Sequence, residues 1–263
     1  MLDWAGVALI EFRNVRKAFG RKVVYRDLNL DVQEGESLTI VGGSGQGKSV
    51  MLKMLIGLLS ADAGTIRFRG ETISEYDEKR FTEVRRHISM LFQGAALFDS
   101  LSVYDNVAYG IREHLHPSEQ EVQRRVAEAL SNVGLENVEQ MWPNDLSGGM
   151  KKRVGLARAI AFQPDVILYD EPTTGLDPIN VTRINRLIIH LKEALKVTTV
   201  VVTHDMASAF QISDRVAMIH EGRVVFEGTP EDVRTTNNKQ VRDFVEGNAP
   251  EEEDTETLLR VSG

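Results

Sequence analysis

Gly42-Gly43-Ser44-Gly45-Gln46-Gly47-Lys48-Ser49 is the stretch on which the fold turns. It fits G-x-x-x-x-G-K-[ST]. The apolar run Ser37-Leu38-Thr39-Ile40-Val41 precedes it, and Val50 to Leu59, which reads as a buried helix, follows. Glycines let the backbone curl until successive N–H groups converge on phosphate oxygens. The helix that follows adds its positive end. Lys48 brings a mobile point charge to the β- and γ-phosphates, and Ser49 offers Mg²⁺ the oxygen ligand that a hard cation prefers. Chance would produce such a match in about one chain in a hundred of this length, and the strand–loop–helix setting lowers that further.

Outward from this loop, short β-rich runs come first: Leu9–Phe12, Val23–Tyr25, Leu28–Val32, and later Gly64–Gly70 and Ile88–Phe92. From Asp165 onward, strands (Val166–Tyr169, Val197–Thr203) alternate with helices (Val181–Ala194, Met206–Ile212). Two strands, Arg215–Ile219 and Arg223–Phe226, close the pattern. Such alternation predicts a parallel sheet with helical crossovers. The middle, about residues 94–155, carries no strand signal and reads as a helical insertion containing Val103–Glu113, Ser118–Asn132 and the start of Met150–Phe162.

Two further motifs carry chemistry. Val166-Ile167-Leu168-Tyr169 is a buried strand that stops abruptly at Asp170-Glu171. In a parallel sheet, ligands sit at the carboxyl ends of strands. Asp170 is therefore placed to hold a hydrated Mg²⁺, and Glu171 to orient and activate an attacking water. Leu146-Ser147-Gly148-Gly149-Met150 opens the basic helical stretch Lys151–Arg158. Ser147 suits an ordinary N-cap, while the paired glycines leave a bare helix end that a phosphate can approach closely.

Together with Gln93, Leu176-Asp177 and Thr203-His204-Asp205, these motifs occur in the order found in ABC-type ATPase subunits, and residues 8–245 resemble that family. The resemblance implies an α/β P-loop NTPase fold: an ABC-type nucleotide-binding domain with a mixed sheet core, a helical subdomain and a small antiparallel β subdomain. It also implies a head-to-tail dimer with a second copy of the chain. Each of two ATP molecules would meet the phosphate loop of one subunit and Ser147, Gly148 and Gly149 of the other. By the same resemblance Phe19 stacks on adenine, Gln93 touches Mg²⁺ and the attacking water, Asp177 lies on a loop crossing the interface, and His204 contacts the γ-phosphate. Met150 departs from the family pattern, which usually has glutamine there.

Phe92-Gln93-Gly94-Ala95-Ala96-Leu97-Phe98 and Val103–Tyr109, with Leu-Ser-Gly-Gly-Met, further resemble the ATPases of Mce-associated lipid transporters, including the Mla phospholipid system. That resemblance implies a polytopic membrane permease docking on Ala95–Phe98 and Val103–Tyr109. It also implies an Mce-domain lipid-binding protein and a small cytoplasmic accessory subunit as partners. The net charge of −8 argues against nucleic-acid binding. No run approaches 18 apolar residues, so the expected location is cytoplasmic, peripheral on the inner membrane through the permease. The absence of cysteine excludes disulfides and thiolate chemistry. Residues 1–245 are expected to form the domain. Residues 246–263, with six acids against Arg260, are expected to be an acidic tail. Fewer than a hundred positions separate Lys48 from Ser147, without sustained heptads, which excludes a chromosome-maintenance ATPase with an inserted coiled coil. A single cassette argues against a translation-control protein. A soluble assembly-factor ATPase and another ABC importer or exporter stay as alternatives.

Overall fold

The computed structural model describes residues 8–248. In chain order its elements are β1 (Ile10–Phe19), β2 (Lys22–Val32), β3 (Ser37–Val41), α1 (Lys48–Leu55), β4 (Ala63–Phe68), β5 (Glu71–Thr72), α2 (Glu78–His87), β6 (Ile88–Leu91), α3 (Val103–Leu115) and α4 (Glu119–Asn132). A 3₁₀ turn at Pro143–Asp145 leads to α5 (Gly148–Ile160), β7 (Val166–Asp170), α6 (Pro178–Leu195), β8 (Thr198–Val202), α7 (Met206–Ile212), β9 (Arg215–His220), β10 (Arg223–Gly228), α8 (Pro230–Thr235) and α9 (Lys239–Glu246).

Two sheets organise these elements. One is antiparallel, in the order β2-β1-β4-β5; the other has six strands in the order β10-β9-β3-β8-β7-β6. The six-stranded sheet is parallel from β9 to β6 and ends in antiparallel β10, so it is mixed. β3, β7 and β8 are buried along their whole length. That is why they read as continuous β-branched and apolar runs rather than as alternating ones.

Their side chains still divide by the two-residue period of a strand. Val166, Leu168, Val200 and Val202 join a core with α1 and the antiparallel sheet. Ile167, Tyr169 and Val201 join a second core with Val107, Val126, Leu130 and Val154 of the helical region. Thus the central sheet is the wall between the two cores. Residues 94–155 contain no strand and hold α3, α4 and much of α5.

Several elements differ from the sequence reading. Val23–Tyr25 and Leu28–Val32 form one strand, β2, paired with β1 through three register shifts. The intervening Arg26 and Asp27 are exposed, which masks the continuity in a hydrophobicity pattern. The helix after the loop runs Lys48–Leu55, and the expected Leu59 end is a turn beyond it. Helix α2 carries only two buried residues, Phe81 and Val84, too few to show a helical period. It is defined instead by its ends, with Asp77 accepting from the Arg80 N–H at 2.9 Å and basic Arg85, Arg86 and His87 in the last turn. α9 ends at Gly247, in the left-handed conformation. The expected acidic tail overlaps it at Glu246; from Ala249 onward that tail lies outside the described residues.

Candidate nucleotide site

Pairing registers set the site. Ile40 of β3 and Asp170 of β7 both pair with Val202 of β8. The segments that leave these three strands therefore emerge side by side at one rim of the sheet. The loop 42–47 bends sharply there. A Cβ on Gly42 would sit 2.4 Å from Ile219 O, and one on Gly47, the cap of α1 at φ 94°, would sit 2.4 Å from Val24 Cγ1. No side chain fits either position. Tyr25 fixes the loop from below by donating its hydroxyl to Gly47 O at 2.6 Å.

Lys48 is buried, and its ammonium donates to Gly42 O at 2.7 Å and Gly43 O at 3.1 Å. Burial pushes its pKa down, while Glu171 and Asp170 pull it back up. One residue on, Ser49 Oγ donates to Asp170 Oδ1 at 2.6 Å. Two hard oxygens, one of them on buried Asp170, are thus held together where Ser49 lines the cleft, the donor chemistry that Mg²⁺ takes. Among the described residues no cluster of three or more His, Cys, Asp or Glu could hold a metal. A cation here would draw its other ligands from a neutral oxygen such as that of Gln93, from nucleotide and from water.

Glu171 has φ 50°, a left-handed conformation uncommon for glutamate. Its N–H donates to Val202 O at 2.9 Å. This geometry turns the side chain out of the sheet, where Oε2 accepts from Thr174 Oγ1 at 3.0 Å and lies 2.9 Å from His204 Nδ1. His204 is largely exposed. Gln93 emerges from the end of β6 into the same cleft.

That cleft, about 760 Å³, is lined by Phe19, Lys22, the loop residues Gly43–Gly45 and Gly47–Ser49, Gln93, Glu171, His204 and Phe244; Gln46 turns aside and accepts from the Glu221 N–H at 2.9 Å. Phe19 is half exposed, with Lys17 Nζ 5.2 Å from its ring centroid, so an aromatic face stands free at one end. Ser147, Gly148, Gly149 and Asp177 do not line the cleft. Ser147 is exposed and caps α5, accepting from Met150 N–H at 3.3 Å. Asp177 caps α6 by accepting from the N–H groups of Ile179 and Asn180, each at 3.0 Å, and these bonds lower its pKa. Gly149 faces Asn180 of the same turn. One subunit therefore brings the phosphate loop, Gln93, Asp170, Glu171 and His204 together and holds the Ser147 and Asp177 turns against each other elsewhere.

Four residues of the site region carry no motif signal. Tyr25 and Phe244 arrive from distant strand and helix. Thr174 is a loop threonine. Lys152 belongs to the run Lys151-Lys152-Arg153, which has a solvated look. Lys152 is nevertheless buried, and its ammonium donates to Gln93 O and, at 3.3 Å, to Glu171 O.

A strand–loop–helix phosphate cradle beside a buried Asp-Glu strand end defines a P-loop nucleotide-binding protein. Residues 25–174 match the family described as ABC transporter, and the chain belongs to that family. It is 42% identical to the intermembrane phospholipid transport system ATP-binding protein MlaF of Haemophilus influenzae, over 91% of this chain and 90% of that protein. It is 40% identical to the probable ribonucleotide transport ATP-binding protein mkl of Mycobacterium leprae, over 92% of this chain and 70% of that one. Among solved structures it resembles the dimeric ATP-binding cassette MJ0796 bound to ADP and Pi, with a TM-score of 0.77 and 32% identity. That likeness covers 84% of this chain and 98% of that one.

Proposed function

We propose that the chain is the Mg²⁺-dependent ATP-hydrolysing subunit of an ABC transporter that moves phospholipid through a separate membrane permease. The observation that carries this reading is the pairing of Glu171 with His204 at 2.9 Å in the cleft that also holds the phosphate loop. The likeness to MlaF supports the lipid cargo. The likeness to mkl motivates the second reading, ribonucleotide transport. Copurified permease complex, analysed for bound phospholipid and assayed for ATPase stimulation by phospholipid vesicles and by ribonucleotides, separates the two. Stimulation by ribonucleotides with no lipid bound would overturn the lipid reading.

In this mechanism Phe19 stacks on the adenine. The N–H groups of Gly42–Ser49 hold the phosphates, and Lys48 neutralises charge on the transferring phosphoryl group. Mg²⁺, held by Ser49, Asp170 and Gln93, would supply electrostatic stabilisation of the β- and γ-phosphate oxygens. Glu171 takes the proton from the attacking water, and His204 holds that carboxylate and contacts the γ-phosphate. Ser147, Gly148 and Gly149 of a second copy close the site from the opposite side, with Asp177 at the interface. Residues 1–245 act as the nucleotide-binding domain, followed by the acidic stretch 246–263. Among the described residues no helix is long and apolar enough to cross a membrane. The chain works peripherally on the inner face of the inner membrane, held by its permease, with an Mce-domain protein and a small cytoplasmic subunit completing the assembly.

A composite site has a direct consequence. Ser147→Arg should abolish hydrolysis by placing a bulky side chain where the partner's γ-phosphate docks. Mixed with Lys48→Ala subunits, it leaves one site with both defects and one with neither, so activity should return on mixing. No recovery despite demonstrated subunit exchange would count against two independent sites.

The permease contact has its own test. Phe98 and Tyr109 are both half exposed, 5.0 Å apart between ring centroids, and border a groove of about 490 Å³ that also includes Met90, Phe92 and Phe162. Leu97, in contrast, is partly buried against the helical core, so charge there would destabilise the subunit rather than the contact. Phe98→Glu should leave the melting temperature and ATP affinity unchanged and release the permease in pull-down. Retained permease binding with normal transport would refute docking at this groove.

A further inference from the structure

Helix α5 begins at Ser147 and ends near the groove of Phe98. Along one face it meets the loop that carries Gln93 unusually closely. A Cβ on Gly155 would lie 2.9 Å from Leu91 Cδ1, 3.1 Å from Ala95 Cβ and 3.3 Å from Ala95 O. The loop itself holds two successive alanines in the left-handed conformation, Ala95 at φ 62° and Ala96 at φ 47°. Such backbone persists only where its surroundings hold it. Two cations of α5 do so. Arg158 donates to Ala96 O at 2.7 Å and to Ala95 O at 2.8 Å. Lys152 donates to Gln93 O and to Glu171 O. Their hydrogen-bond partners are carbonyls of two site loops; burial lowers the Lys152 pKa, and the nearby charges of Asp170 and Glu171 oppose that.

We propose that Lys152 and Arg158 are positioning residues that clamp the Gln93 loop and the Glu171 peptide to α5, so that water placement at one nucleotide is rigidly tied to the Ser147 end of the same helix. The clamp rests on the assignment of Gln93 and Glu171 given above. Bond directionality makes it specific. A carbonyl prefers a donor near the plane of its lone pairs, so each loop is restrained in orientation as well as in distance. Glu171, in a left-handed conformation, depends on such support more than an ordinary strand residue does. Arg158 extends the connection to the permease groove, since its guanidinium lies 5.8 Å from the Phe98 ring centroid. One helix therefore touches the Gln93 loop, the Glu171 peptide and the Phe98 groove, while its own N-terminus carries the exposed Ser147 turn that the proposed dimer sets against the neighbouring subunit.

The test compares the full-length protein with Lys152→Met, which keeps side-chain length and loses the donors, and Lys152→Arg, which restores them. Turnover is measured at saturating Mg-ATP, and affinity with trinitrophenyl-ATP. Lys152→Met should lower kcat by about 10–100-fold, the cost of a small misplacement of reacting groups. Its nucleotide affinity should stay within about threefold of the parent, and its melting temperature should not fall. Lys152→Arg should recover most of the turnover. Parental kcat in Lys152→Met would overturn the clamp, as would a parallel loss of affinity and melting temperature, the signature of a purely structural lysine. Arg158→Met combined with Gln93→Ala should cost little beyond Gln93→Ala alone, because Arg158 acts through that loop; fully multiplicative losses would overturn its part. A fully active Lys152→Met protein beside an inactive Glu171→Gln protein defeats the clamp alone, whereas a fully active Glu171→Gln protein defeats the site assignment beneath it.

Discussion

Glu171→Gln is expected to lower ATP turnover by about 10²–10⁴-fold, the range for a lost general base, while nucleotide binding is retained. Glutamine keeps the size of the side chain and can still accept from Thr174 and sit beside His204, but it cannot take a proton from water. The contacts that shape the site, Ser49 with Asp170 and Lys48 with the loop carbonyls, do not involve the replaced carboxylate. The variant should therefore bind Mg-ATP, close, and remain closed, so it should accumulate as an ATP-bound dimer in size-exclusion chromatography. Steady-state hydrolysis at the parental rate would show that another group takes the proton.

Lys48→Ala should bring hydrolysis below detection, a fall of at least about 10³-fold, since removal of even one neutral donor from a charge-stabilising site costs about 10²–10³. Among the described residues no other side-chain cation donates to the Gly42 and Gly43 carbonyls that Lys48 holds. Lys152 is directed at carbonyls of Gln93 and Glu171, and the Lys22 ammonium lies beside Gly45 of the loop. The change removes a buried ammonium whose pKa is already depressed by burial, so the fold should survive it. Gly43 lines the cleft, while the buried Gly42 carbonyl loses its donor at a cost of about 1–3 kcal/mol, which lowers the melting temperature without unfolding the domain. An ATPase assay checks the first expectation and a thermal melt the second. Measurable turnover in a correctly folded variant would sink the assigned role.

The signals that were legible in the sequence share one property: the chemistry is carried by neighbours in the chain. A phosphate loop needs consecutive backbone N–H groups, so its glycines, Lys48 and Ser49 must be contiguous. An acidic pair at a strand end needs the buried run of β7 just before it. Helix α2 and helix α9 were less legible because their apolar residues are few and their definition comes from capping and from packing against distant strands. The long strand β2 was hidden by its exposed middle.

Sequence by itself determined the class of chemistry, the presence of a parallel sheet, the strand-free helical insertion and the phosphate-loop motif. Tertiary structure alone decided which of them meet. It brings Asp170 to Ser49 and Glu171 to His204, because the parallel register of β3, β7 and β8 aligns their ends. It keeps Ser147 and Asp177 out of that cleft. It also decided that Lys152, in a run of three cations with a surface look, points inward to two backbone carbonyls while its neighbour Lys151 stays partly exposed. The physical reason is that burial and hydrogen-bond direction depend on which faces the packed elements turn towards one another, and a linear pattern of charges carries no record of that.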